Sequence, residues 1–223
     1  MRLHKALFIN NVLIIFVKNK MMKYLFCFTL LMFVGFLKAQ EDSEILMEIK
    51  EYQTSENEKF SNPETTILDT EDFKAFKNLD FYPINLKHRI QADFIRTPNE
   101  KPFLMPTSTE RLPEYVKYGE IHFTIDNTKL KLNLYQSTTP YEKAGYENTL
   151  FLPFTDLTSG DGSYGGGRFM DVQIPLGNMM IIDFNFAYNP YCAYSHRYSC
   201  PIPPKENDLL IRIEAGAKEF AHH

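Results

Sequence analysis

The chain has no tryptophan, only three cysteines and no excess of basic residues. It also lacks the compact signatures of several enzyme classes. There is no G-x-x-x-x-G-K-[ST] loop, no G-x-G-x-x-G joining a strand directly to a helix, and no H-E-x-x-H. P-loop, dinucleotide-fold and zincin chemistry therefore have no sequence support. Asp161-Gly162-Ser163-Tyr164-Gly165 lacks the first glycine of a nucleophile elbow and has no helical pattern after it. No repeat or low-complexity linker interrupts the chain.

The first forty residues have the pattern of a targeting segment. Lys23 precedes an uncharged run from Tyr24 to Leu37, and Lys38-Ala39-Gln40 follows. A basic start, an apolar run and a small residue at the exit mark a secretory signal. The run is short of the ~20 residues of a membrane helix. Cleavage is expected after Ala39, although Leu37 fits the −3 position poorly. Residues 1–20, with a second apolar stretch from Ala6 to Val17, read as an extension before a start at Met21 or Met22, the alternative being an uncleaved N-terminal anchor. Removing 1–39 takes six of the 24 basic residues and none of the 28 acidic ones, moving the net charge from −4 to −10. So acidic a chain is a poor partner for nucleic acid, and no stable membrane span is expected after cleavage. The expected location is periplasmic or secreted.

Two cysteines then remain, Cys192 and Cys200. An oxidising compartment makes a disulfide the default reading. The spacing Cys192-x3-His196-x3-Cys200 also invites zinc, but no fourth ligand lies nearby in sequence. No cofactor or metal is assigned.

Residues 42–53 place Ile45, Ile49 and Tyr52 on one helical stripe. Thr70 is positioned to cap a short helix bearing Phe73, Phe76 and Leu79. Beyond it the hydrophobic period falls to two. Strands are expected over His88–Arg96, around Ile121–Ile125 and Leu130–Leu134 with a turn at Asp126-Asn127, and over Leu150–Thr155, Arg168–Ile174, Met179–Phe186 and Leu209–Glu214. The expected fold is mostly β, an antiparallel sandwich or partly open barrel with N-terminal helices, α+β being the variant. The organisation reads as a signal (1–39), a helical and first-strand region (40–110) and a β-rich domain (111–223).

The stretch 181–207 is the richest in chemistry. If Pro175-Leu176-Gly177-Asn178 joins two paired strands, Arg168 faces Asn185 and Met170 faces Asp183. Arg168, Met170, Val172, Ile181, Asp183 and Asn185 then share a face, with Asp183 as the carboxylate for Arg168. Gly165, Gly166 and Gly167 can form an anion-binding nest beside that arginine, or simply a hairpin turn. Asn189, Glu206 and Asn207 are placed to complete a pocket for a small polar or anionic ligand. The other readings are a buried polar network, a hydrolase using Asp183 or Asp156 with Arg168, and a structural module of the cell envelope. Asp156, Thr158, Asp161 and Ser163 offer oxygens for calcium without a recognised spacing. His196 with Ser195 or Ser199 lacks a third partner, and His88 and His122 read as solvent-facing. Tyr188, Tyr191, Tyr194 and Tyr198 suit either stacking on a sugar or aromatic ligand, or covering a core.

Four segments together resemble the uncharacterised family called domain of unknown function 1684. They are Leu150–Gly160, Ser163–Arg168, Asp183–Tyr194 and Ser199–Asn207. The resemblance extends over roughly 110–216. The Trp-Arg pair that family members often carry near the N-terminus has no counterpart here, and His196 lies outside the motif. The resemblance implies a site location and no activity.

Overall fold

The computed structural model describes residues 20–139 and 147–220; the apolar stretch Ala6–Val17 lies outside them. By packing, the chain divides after Glu48. The first unit contains the start of a long helix, α1 (Lys20–Ser61), whose side chains from Tyr24 to Leu37 are exposed. Tyr24–Ser61 is long and apolar enough to cross a membrane by length and composition, a test that signal sequences also pass.

The second unit begins with the last turns of α1. Ile49 and Phe60 are buried, and Tyr52, Glu56 and Lys59 are half-buried, the 3.6-residue stripe of an amphipathic helix. A short helix, α2 (Thr70–Ala75), follows; its N-cap is Asp69, one residue before the expected Thr70. Seven strands then form one antiparallel sheet: β1 (Arg89–Arg96), β2 (Phe103–Leu104), β3 (Glu114–Ile125), β4 (Thr128–Ser137), β5 (Thr149–Phe154), β6 (Arg168–Gln173) and β7 (Met179–Asp183). Their order is β6-β5-β4-β3-β1-β7, with β2 against the start of β3. The sheet is a curled half-barrel.

The β3–β4 turn lies where expected. Asp126 and Asn127 both take positive φ, 46° and 65°, the geometry that matches a two-residue turn to strand twist. One face of the sheet buries Ile90, Ala92, Ile121, Leu132, Leu150, Leu152, Met170 and Ile182, together with Phe154 and Phe184. The other face buries Tyr135, Phe151 and Phe169 beneath Met105 and Cys200.

Three expectations are corrected. First, β6 and β7 do not pair as a hairpin: β6 runs beside β5, and β7 beside β1 with Ile90 opposite Ile182. The β1 register turns Ile182, not Ile181, into the core, and Phe184 follows it inward. Second, β7 ends at Asp183, and a 3-10 turn takes up Phe184–Phe186. Third, residues 209–214 form no strand. Leu209 N–H still reaches Thr155 O at 2.8 Å, and Leu157 N–H reaches Ile211 O at 2.9 Å. Side chains hold the rest of that segment.

Candidate functional site

Arg168 is fully buried, and its acid is Asp156 rather than Asp183. Its Nη2 donates to Asp156 Oδ1 at 3.1 Å, Thr158 Oγ1 at 3.3 Å and Ile213 O at 2.8 Å. Its Nη1 donates to Ala215 O and, at 3.4 Å, to Ala217 O. Asp156 Oδ2 also accepts from Ile213 N–H at 2.6 Å. Burial pulls the arginine pKa below its ordinary value, and Asp156 opposes that pull. The cation thus reads carbonyls of the segment that forms no strand, with nothing left facing solvent.

The glycines beside it serve the backbone. Gly167 has φ +87°, and its N–H is spent on Tyr164 O at 3.0 Å; a Cβ there would lie 2.6 Å from Phe154 O. Only glycine fits that corner. Gly160-x-Gly162-x-x-Gly165 has the dinucleotide-loop spacing, but β6 follows it where that motif needs a helix N-terminus. The oxygens considered for calcium are engaged as well: Thr158 Oγ1 bonds Asp156 at 2.9 Å and Ser163 Oγ at 2.8 Å. Asp161 pairs with Arg212 at 2.7 Å. Among the described residues no cluster of three or more His, Cys, Asp or Glu is arranged to hold a metal ion.

The other expected ligand residues separate in space. Asp183 Oδ1 accepts from Asn185 N–H at 3.0 Å and Asn185 Nδ2 at 2.7 Å, and Arg89 lies 3.4 Å from Oδ2. Asn185 in turn bonds both backbone groups of Asn85, each at 3.0 Å, fixing the approach to β1. Asn207 bonds Asn133 N–H and O and Pro153 O at 2.7–2.9 Å. It fills the opening between β4 and β5, whose ladder pairs only Tyr135 with Phe151. Glu206 is exposed. His88, expected at the surface, is buried, and burial lowers its pKa.

Asp183 lines a shallow groove of about 540 Å³ with Arg89, and Asn189 lines a second cavity. This second cavity, of about 360 Å³, is bounded by the last turns of α1, the outer face of β6 and the loop after Phe186. Tyr52, Phe60, Phe169, Tyr188, Tyr191 and Tyr194 supply aromatic wall. Tyr194 packs edge-on to Phe60 at 4.6 Å. Tyr188 donates to Asp171 at 3.0 Å. Lys59 pairs with Glu56 at 3.5 Å and lies 5.3 Å above the Tyr191 ring. Burial pulls against the charge of Lys59, but Glu56 and Tyr191 outweigh it and raise the pKa. Burial raises the pKa values of Tyr52 and Tyr194, so both remain phenols.

Asn189 is 2 % exposed. Its Nδ2 donates to Lys218 O at 2.7 Å and Tyr194 Oη at 3.3 Å, which fixes the amide orientation. Its Oδ1 has no partner among the described residues. A buried acceptor without a partner is costly. Three of the four tyrosines singled out from the sequence line this cleft, and Tyr198 packs behind Tyr191 at 5.2 Å. Glu56, Lys59 and Phe60 escaped the sequence reading. Their signal was the stripe Ile49, Tyr52, Glu56, Phe60 continuing past residue 53.

The expected bridge is not formed, and this too is a correction. Cys192 and Cys200 are free thiols in contact, with Cys192 N–H donating to Cys200 Sγ at 3.1 Å.

Fold and cleft define a curled half-barrel β domain with an aromatic pocket beside β6. The chain matches the protein family of unknown function DUF1684 over residues 74–218 and belongs to it. No functionally curated protein matches it. A solution structure of an uncharacterised protein from Haloarcula marismortui, gene locus rrnAC0354, is 26% identical. That match covers 83% of this chain and 99% of the other, with a TM-score of 0.63.

Proposed function

We propose that this is an exported domain that binds a small polar ligand in the aromatic cleft. The carrying observation is a cavity walled mainly by tyrosine and phenylalanine that also takes in Asn189, a buried amide whose Oδ1 has no partner among the described residues. Concave sites with apolar walls and a few placed polar groups are the usual form of small-molecule sites. Tyrosine faces suit the apolar side of a sugar ring or a planar ligand. Asn189 Oδ1 asks for a donor. Glu56 and Asp171 set two carboxylates against the single ammonium of Lys59, which favours a neutral polyhydroxylated ligand over an anion. Export rests on the basic–apolar–small pattern ending at Ala39.

The hydrolase alternative has less support. Both oxygens of Asp156 and of Asp183 accept hydrogen bonds inside the fold, and Arg168 reaches no cavity wall described here.

One experiment tests ligand and compartment together. The protein is recovered from the exported fraction of its host and its intact mass compared with a start at Gln40. It is then titrated with a panel of mono- and disaccharides while the tyrosine ring signals are followed by NMR. A ligand of this class shifts Tyr191 and Tyr194, and Tyr191→Ala abolishes the shift. A panel that moves neither ring sinks the binding reading, and retention of residues 1–39 sinks export.

A further inference from the structure

Cys200 lines the edge of the cleft, and with Cys192 it belongs to a different chemistry. Cys192 is half-buried in the 3-10 turn Tyr191–Ala193, and Cys200 is buried with one side on the cavity wall. The Tyr164 hydroxyl is 3.8 Å from Cys192 Sγ. Cys200 is anchored by its backbone: its N–H donates to Ser108 Oγ at 3.2 Å, and its carbonyl accepts from Ser108 N–H at 2.9 Å. Cys192 is therefore the less buried of the two, with the Tyr164 hydroxyl beside its sulfur, and Cys200 is held against it from inside.

We propose that Cys192 and Cys200 form a dithiol site for exchange with low-molecular-weight disulfides, Cys192 attacking and Cys200 resolving. The electronic asymmetry agrees with this order. Hydrogen bonding from Cys200, then from Tyr164 and Ser108, outweighs burial and lowers the Cys192 pKa. Its contact with Cys192 and then its burial push Cys200 far up. Burial and the adjacent Cys192 raise Tyr164 to about 12, so it stays a phenol able to donate to the thiolate. A lowered pKa raises the thiolate fraction, and the thiolate is the attacking species.

The steps balance. The Cys192 thiolate attacks one sulfur of a disulfide R–S–S–R. Its S–S bond breaks, and R–S⁻ leaves and takes a proton from water. Cys200 then loses its proton to solvent, and its sulfur attacks Cys192 in the mixed disulfide. The second R–S⁻ leaves and is protonated. Two electrons pass from the protein dithiol to the small disulfide, giving a Cys192–Cys200 bond and two R–SH.

The test uses the full chain in mild detergent with Cys27→Ser, so that only this pair reports. Oxidised glutathione is added at neutral pH, and intact mass is followed with time. The parent should lose two hydrogens and retain no adduct. Adding Cys200→Ser should stop the reaction at a single glutathione adduct. Adding Cys192→Ser instead should slow adduct formation by at least about tenfold, because Cys200 is buried and keeps its proton. Urea-unfolded chains, in which either cysteine reacts, show that the reagent is competent. Adduct formation as fast without Cys192 as without Cys200, or a parent that keeps its adduct, overturns the proposal.

Discussion

Arg168 stands where a strand ladder would otherwise be. Its guanidinium meets carbonyls of Ile213, Ala215 and Ala217, and Asp156 balances its charge while accepting from Ile213 N–H. Removing one member of a buried pair leaves the other charged and unpaired, at a cost of about 3–5 kcal/mol. Arg168→Met should lose stability of that order in urea unfolding, and Arg168→Lys should rescue little, since one ammonium cannot span the same fork. A variant within about 1 kcal/mol of the parent would show that the network is dispensable. That Arg168 must be paired follows from residue type alone. Which acid pairs with it depends on register, and the short loop 174–178 suggested a hairpin that the curl of the sheet does not make. Asn207 and Asn185 show the same limit. Each is polar and lies in a motif-rich stretch, yet each uses its amide to bond backbone groups far away in sequence.

Among the elements, the hairpin of β3 and β4 was the most legible, because its alternation and its Asp-Asn turn are both local. Segment 209–214 alternates equally well but has no neighbouring strand to complete a ladder, and periodicity carries no information about neighbours. The β3–β4 pair also carries the clearest pH dependence. Glu120 accepts from Lys117 at 2.9 Å, lies 2.8 Å from His122 Nε2, and has Lys131 at 3.7 Å. The hydrogen bond from Lys117, then that with His122, lowers its pKa from 4.5 to about 2. The folded state thus holds this proton less tightly than the unfolded chain does. The stabilisation is complete above about 4.5 and disappears as pH falls through about 2. The parent should therefore exceed Glu120→Gln in urea midpoint at pH 6, and the gap should close on acidification over that range. A gap independent of pH would remove the ionic contribution.

At the level of the whole molecule, mostly antiparallel β structure was readable from the sequence, whereas the aromatic cleft was not. Its walls come from α1, β6 and the loop after Phe186, which only the folded chain brings together. The same long-range construction constrains synthesis. The acceptors for Arg168 include the carbonyls of residues 213, 215 and 217, near the C-terminal end of the chain. Until those residues have left the ribosome, β6 carries a cation that cannot be buried with its full set of partners. The sheet then has to wait, with Phe154, Met170 and Phe184 open to other chains. Folding of this domain accordingly waits on residues 213–217 and depends until then on whatever shields nascent apolar surface. A chain stopped after Arg212 should remain unfolded by circular dichroism and bind holdase chaperones, while the full chain released from the same ribosomes folds. A stopped chain with the β spectrum of the parent would show that the sheet forms before its last partners arrive.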